Sequence, residues 1–240
     1  MFQTVIDEKL RTNRIPFSAD LPEKLSVYLQ MLTEWNEKMD LTAVLEPEEM
    51  IDRHFIDSLM LLKTDPGPFR SLIDVGTGAG FPGMVLAMAV PETRVTLLDA
   101  QQKRLNFLQA VADETGTDVT ILHARAEDAA RQKEYREQFD AAVARAVAPV
   151  DVLCEYLMPF LKTGGKAICW KGPSLDREME NGEKAIRILG GETEAVWTCP
   201  IEGRDWDHRL LVVKKNRATD ARFPRKPALI KSAPLGTGKT

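Results

Sequence analysis

The stretch Leu72-Ile73-Asp74-Val75-Gly76-Thr77-Gly78-Ala79-Gly80-Phe81-Pro82-Gly83 decides the fold of this chain. Ser71 to Val75 is an apolar run of strand length, glycines follow at every second position, and Gly83 to Ala89 has helical composition. A strand that gives way to a glycine loop and then to a helix offers the helix's free N–H groups to a ligand. The glycines let the backbone turn tightly and come close to it. The loop is therefore expected to hold a nucleotide-like molecule.

Toward the C-terminus, short apolar runs alternate with helical stretches. The runs are Arg94 to Asp99, Val119 to Leu122, Ala141 to Ala144, Lys166 to Trp170 and Leu210 to Val213. Helices are expected over Lys103 to Glu114, Val152 to Leu161 and Asp176 to Leu189, the last stopped by Gly190-Gly191. This alternation implies an α/β fold with a mostly parallel, doubly wound sheet. Toward the N-terminus the pattern is helical only: Leu25, Leu29, Leu32, Trp35 and Met39 recur at helical spacing behind Asp20, an N-cap candidate. A second helix is expected from Pro47 through Leu62, before Pro66-Gly67-Pro68 breaks the chain. The division expected is a helical appendage over 1–66, a core over 69–215 and a basic tail over 216–240.

A chain of 240 residues, 44% of them hydrophobic, buries one substantial core. Asp7, Glu8, Lys9, Arg11 and Arg14 interrupt the first sixteen residues, and no later stretch reaches membrane-spanning length, so a cytoplasmic, monomeric protein is expected. Cys154, Cys169 and Cys199 are too far apart for a zinc site or a disulfide framework and are expected as buried, reduced thiols. His54 and Asp57 share a helical face without a further ligand nearby, so no metal is expected and a structural role is. The net charge is -4, but residues 214–240 carry eight basic side chains against Asp220 alone, a net +7 that leaves residues 1–213 at -11. Such a tail is either solvated or in contact with a polyanion.

Spacing and charge narrow the ligand. In the dinucleotide fingerprint a third glycine follows the second after two residues, and here that position is Phe81. Asp74 puts a carboxylate where a pyrophosphate would be repelled but a cationic amino acid moiety would be welcome. The loop thus resembles the first motif of the class I S-adenosylmethionine-dependent methyltransferases rather than a nicotinamide site. Asp99, at the end of the next strand, is placed either to receive both ribose hydroxyls or to cap the following helix.

Across nearly its whole length the chain resembles the glucose-inhibited division protein B family, the 16S rRNA (guanine-N7) methyltransferases. The resemblance rests on Trp35-Asn36 with Leu41-Thr42, Arg53 to Ser58, Asp74 to Gly83, Leu98-Asp99 with Lys103-Arg104, Ala124 to Glu127, Ala144 to Ala146, Gly164-Gly165, Trp170 to Gly172 and Pro224 to Lys226. It implies a Rossmann-like fold, S-adenosylmethionine as cofactor and 16S rRNA or the small ribosomal subunit as partner. The cofactor site it implies uses Gly76, Phe81, Ala126, Glu127 and Arg145, beside Asp74, Gly78, Gly80 and Asp99 of the loop and strand ends. Lys103, Arg104, Arg125 and Lys171 near strand ends, with Arg209, Arg225 and Lys226, form the expected RNA-binding rim.

Guanine N7 carries an exposed lone pair and needs no general base, in keeping with the lack of a candidate catalytic Cys or an Asn-Pro-Pro segment. No catalytic acid or base is expected. Arg145, ending the fourth strand, is the positioning candidate, for cofactor, base or phosphate. Trp170 and Trp206 either stack on bases or are buried. The rival readings are a methyltransferase of another RNA, of a small molecule or of a protein, and a non-catalytic RNA-binding protein on the same fold.

Overall fold

In the first strand, Leu72 and Asp74 point to one side of the sheet and Ile73 and Val75 to the other, and all of them are buried. A strand apolar on both faces needs cover on both, and the computed structural model, which describes residues 2–64, 67–145 and 147–237, supplies it from two separate helical layers. Two helices open the chain, α1 (Phe2–Thr12) and α2 (Leu21–Asn36). Next comes α3 (Pro47–Met50), which widens into a π-helical turn over Ile51–Ile56, re-forms as α4 (Asp57–Leu59) and ends in a 3-10 turn over Met60–Lys63.

The core then runs β1 (Ser71–Val75), α5 (Gly83–Ala89), β2 (Arg94–Asp99), α6 (Gln102–Thr115), β3 (Val119–His123), α7 (Ala126–Ala129), β4 (Phe139–Arg145), α8 (Val150–Leu157), β5 (Leu161–Lys171), α9 (Leu175–Leu189), β6 (Gly191–Thr198), β7 (Arg209–Lys215) and α10 (Pro227–Ser232). The sheet order is β3-β2-β1-β4-β5-β7-β6, parallel from β3 to β5, with β7 antiparallel to both β5 and β6. Chain direction reverses its winding between β1 and β4, which is where open α/β sheets bind ligands at their carboxyl edge.

Ile6, Leu10, Leu25, Leu29 and Leu32 of α1 and α2 share one apolar cluster with Met84, Leu105 and Leu108 of α5 and α6 and with Leu72, Val95 and Val143 of the sheet. The N-terminal helices are thus one wall of the core. The other face is covered by Leu153, Leu157, Leu175 and Ile186 of α8 and α9, together with Phe223 and Ile230.

Those last two residues belong to the basic tail, expected as either solvated or in contact with a polyanion, and show that its described part is packed on the core. From Asn216 to Gly236 the chain packs back over α8 as a strap. Arg136 donates to the carbonyls of Thr219 and Phe223, Arg131 to that of Pro224, and Arg225 forms a bidentate pair with the wholly buried Glu155, with Nε–Oε1 at 2.9 Å and Nη2–Oε2 at 2.7 Å. Lys215, also fully buried, donates to Glu137 and to the carbonyls of Met158 and Leu161. Charges taken this far from water persist only when paired and hydrogen-bonded, and these are. All three cysteines are free and buried, and burial pushes the Cys169 and Cys199 thiols up to about 12. No helix of the described residues is long and apolar enough to cross a membrane.

Candidate active site

The glycine loop is tied down from beneath. Asp74 is wholly buried, and its Oδ2 accepts from Thr77 Oγ1 at 2.7 Å and from the Gly83 amide at 2.8 Å, closing the loop against the start of α5. Its Oδ1 has no partner among the described residues, and burial pushes the carboxyl up to about 6. Asp74 therefore braces the loop from inside, tying Thr77 to the first residue of α5. Gly80 has φ +99°, and a Cβ there would come within 2.7 Å of Leu108 and 2.9 Å of Met84, so no other residue fits.

Above the loop, Asp99 at the end of β2 accepts from the Gly78 amide (2.9 Å) and the Gln101 amide (2.8 Å), serving loop and helix start together. A cleft of about 600 Å³ opens beside it, lined by Val75, Gly76, Asp99, Arg125, Ala126, Glu127 and Tyr156. Pro227, Lys231 and Pro234 of the strap close its outer wall. A second cleft of about 370 Å³ shares Gly76, Asp99 and Val147 with the first and adds Gly78, Phe81, His54, Arg104 and Arg145. A third, of about 390 Å³, shares His54 and Arg145 with the second and continues to Asp57, Trp170, Lys171 and His208. The three lie end to end along the carboxyl edge of the sheet. A slightly larger cleft, about 630 Å³, sits at the opposite edge between Phe17, Leu62, Phe69 and Leu86, where nothing but Glu92 is ionisable.

The partition between second and third clefts is a packed network. His54 stacks on Phe81 with ring centroids 4.4 Å apart, and Phe81 stacks in turn on Tyr28, whose hydroxyl donates to the Ala79 carbonyl of the loop. Arg145 reaches His54 Nδ1 at 3.2 Å, Asp57 Oδ2 at 3.0 Å and the Arg53 carbonyl. With Nδ1 accepting from Arg145, Nε2 of His54 carries the proton and donates to Thr42 Oγ1 at 2.8 Å. Asn36 fixes that threonine by holding the Leu41 and Thr42 amides and the Thr42 carbonyl. Burial and the Arg145 charge pull the His54 imidazolium down to about 3, so the ring stays neutral. Trp170 is buried and donates Nε1 to the Asp57 carbonyl, and the guanidinium groups of Arg53 (4.2 Å) and Arg204 (5.1 Å) both lie over the Trp206 ring.

The expected cofactor residues thus gather on one edge: Gly76, Asp99, Ala126 and Glu127 line the first cleft and Gly76, Gly78, Phe81, Asp99 and Arg145 the second, with Gly80 buried under the turn. The rim is more divided. Lys103, Arg125 and Lys226 are exposed without an ion pair among the described residues, and Arg104 stands 3.8 Å from Asp99. Lys171 is held by Glu178 at 2.5 Å, and Arg209 by Asp176 and Asp207. Arg225 is the clearest correction, since Glu155 engages it and its role is to anchor the strap. Sequence reasoning missed His208, and it noted Thr42 only within a family motif, without a role at the site. His208 precedes β7, and only because β7 runs antiparallel does its start come to the ligand edge, beside Lys171 of β5. No cluster of three or more metal-ligating side chains occurs among the described residues.

The donor set fits S-adenosylmethionine. Backbone amides of a glycine loop, a strand-end carboxylate beside them and a passage lined by Phe81 and His54 are parts that suit this molecule. Fold and site together define a Rossmann-like S-adenosylmethionine-dependent methyltransferase. Solved structures share the fold: a SAM-dependent O-methyltransferase of Thermotoga maritima aligns with TM-score 0.52 at 17% identity, covering 79% of this chain and 73% of its own. A branched-chain polyamine synthase of Thermus thermophilus aligns with TM-score 0.55 at 13% identity, covering 80% and 64%, a likeness of fold alone. The model of the family described as rRNA small subunit methyltransferase G matches residues 21–206, and the chain belongs to that family. A ribosomal RNA small subunit methyltransferase G of Clostridium botulinum is 46% identical over 210 residues, 87% of this chain and 88% of the relative. One from Alkaliphilus metalliredigens is 44% identical over 218 residues, 89% and 90% respectively.

Proposed function

We propose that this chain transfers the methyl group of S-adenosylmethionine to N7 of a guanine in 16S ribosomal RNA, acting as a cytoplasmic monomer on the RNA or the small subunit. The observation that carries the reading is the run of three clefts along one sheet edge, with Arg145 and His54 as the wall common to the second and third. Bound in the first two clefts, S-adenosylmethionine supplies a methyl group on a cationic sulfur. The N7–C bond forms as the S–C bond breaks, the positive charge passes from sulfur to base, and no proton moves.

The residues suit a reaction of that kind. His54 is not a base, because both of its ring nitrogens are engaged and it holds no proton affinity at working pH. Asp57 neutralises Arg145 across 3.0 Å, so the wall between donor and acceptor does not repel a sulfonium. Catalysis then rests on alignment, which supplies roughly 7–11 kcal/mol when the geometry is good. Arg145 is the positioning group. Lysine in its place lacks the planar fork that serves three partners at once, and we expect Arg145→Lys to lose about tenfold or more in kcat/KM.

The test incubates purified protein with methyl-labelled S-adenosylmethionine and, separately, 16S rRNA, 30S particles and an RNA-free extract. Label recovered as 7-methylguanosine from small-subunit RNA is the expected result. Label confined to protein or small molecules overturns the reading.

A further inference from the structure

The third cleft contains a group that the reaction described above does not use. His208 is pinned by Nδ1–H donation to Asp57 Oδ1 at 2.8 Å and by stacking on Trp206, with ring centroids 5.2 Å apart. Its Nε2 has no hydrogen-bond partner among the described residues, and the residue lines the cleft. The other oxygen of Asp57 holds Arg145 at 3.0 Å, so one buried carboxylate orients both the partition and the histidine. Trp170 supplies an aromatic surface to the same cleft, its indole N–H spent on the Asp57 carbonyl. At about 390 Å³ the space falls within the roughly 300–1,000 Å³ of small-molecule sites. It combines an aromatic surface, fixed cations and one outward imidazole nitrogen. That combination matches the ring face and polar edge of a single unpaired purine turned out of its helix, the form in which a base enters an enclosing pocket.

We infer that the Trp170–His208 cleft receives the extruded acceptor purine and that His208 is a positioning residue whose Nε2 hydrogen-bonds the base edge. The inference rests on the proposed RNA methyltransferase activity and names the subsite within it. Asp57 is the reason that this nitrogen is fixed: a carboxylate on Nδ1–H holds the ring and leaves Nε2 without a partner among the described residues, on a histidine that lines the cleft. Trp206, clamped by Arg53 at 4.2 Å, keeps the ring from rotating.

Three variants test it in 30S methylation, with S-adenosylmethionine affinity and melting temperature measured alongside. His208→Ala removes both nitrogens, His208→Asn keeps only a group near Nδ1, and His208→Gln places an amide near Nε2. Ala and Asn are expected to lower kcat/KM for 30S particles by about tenfold, the size of one hydrogen bond to a charged or polar partner, with Kd for S-adenosylmethionine unchanged. Gln is expected to recover part of that loss. Wild-type kcat/KM in His208→Asn, or a loss in all three variants that parallels a fall in melting temperature and donor affinity, overturns the inference while leaving the activity intact. A wild-type protein that labels no small-subunit RNA overturns the activity and the inference with it.

Discussion

Asp74, expected from the sequence to face a cationic ligand, also has a structural task in the fold. A carboxylate two positions ahead of the first glycine reads as a partner for a cation, yet its two hydrogen bonds go to Thr77 and Gly83 and its other oxygen is orphaned among the described residues. With a folded-state pKa of about 6 against 3.8 for the unfolded chain, the folded protein keeps a proton that the unfolded chain releases. Stability from this group is therefore full below pH 4 and declines as pH rises to about 6, by the order of 2–3 kcal/mol. Asp74→Asn should gain stability relative to wild type as pH rises from 4 to 7, read from urea melts at each pH. His54 has the opposite sign: its pKa falls from 6.5 to about 3, so it stabilises the fold above pH 6.5 and costs stability as pH falls. His54→Gln should therefore gain relative to wild type on acidification.

At the scale of elements, the strap from Asn216 to Gly236 matters most, because it walls the first cleft with Pro227, Lys231 and Pro234. Its anchor is Arg225 on Glu155, a pair whose acidic partner is fully buried. Removing one partner of such a pair costs about 3–5 kcal/mol. Glu155→Ala should lower unfolding stability by that order and weaken S-adenosylmethionine binding in a calorimetric titration, while strands β1 to β5 remain folded. None of this was legible in the sequence, where eight basic residues dominated and Phe223 and Ile230 were too few to signal burial. The elements with strict period were legible: Gly83–Ala89 matches expectation residue for residue, and Ser71–Val75 and Arg94–Asp99 likewise. Strand β6 was not, since Gly191, Glu192, Thr193 and Glu194 of this edge strand form no apolar run. Helix α1 was missed for a related reason, its Ile6 and Leu10 being thinly spaced among charges.

For the whole molecule, the question is how an acidic body meets RNA. Of the seven expected rim cations, Arg225, Arg209 and Lys171 are satisfied by Glu155, Asp176 with Asp207, and Glu178. Lys103, Arg125 and Lys226 have no such partner among the described residues. Each phosphate that the protein ceases to neutralise lowers the slope of log affinity against log salt by roughly 0.7–0.9. Lys103→Ala and Arg125→Ala should each reduce that slope for 30S binding by about this much, whereas Arg209→Ala should leave it unchanged. The residues that line the first two clefts were legible because they lie at the ends of parallel strands whose order follows from the βα pattern. The acceptor half was not, because it depends on β7 running antiparallel and carrying His208 back to the same edge.

The π-helical turn over Ile51–Ile56 closes each hydrogen-bonded ring around one residue more than an α-helix does, with the Asp57 amide bonded to the Asp52 carbonyl. Dropping a single residue there would restore α-helical winding and swing everything before it by about 100° about the axis relative to Asp57. Arg53 and His54 would then leave Trp206, Phe81 and Arg145 while the buried Asp57 kept its place. The helix thus tolerates changes of residue far better than changes of length. Among descendants of this gene, a one-codon deletion between positions 51 and 56 should be purged even where it leaves a well-folded protein.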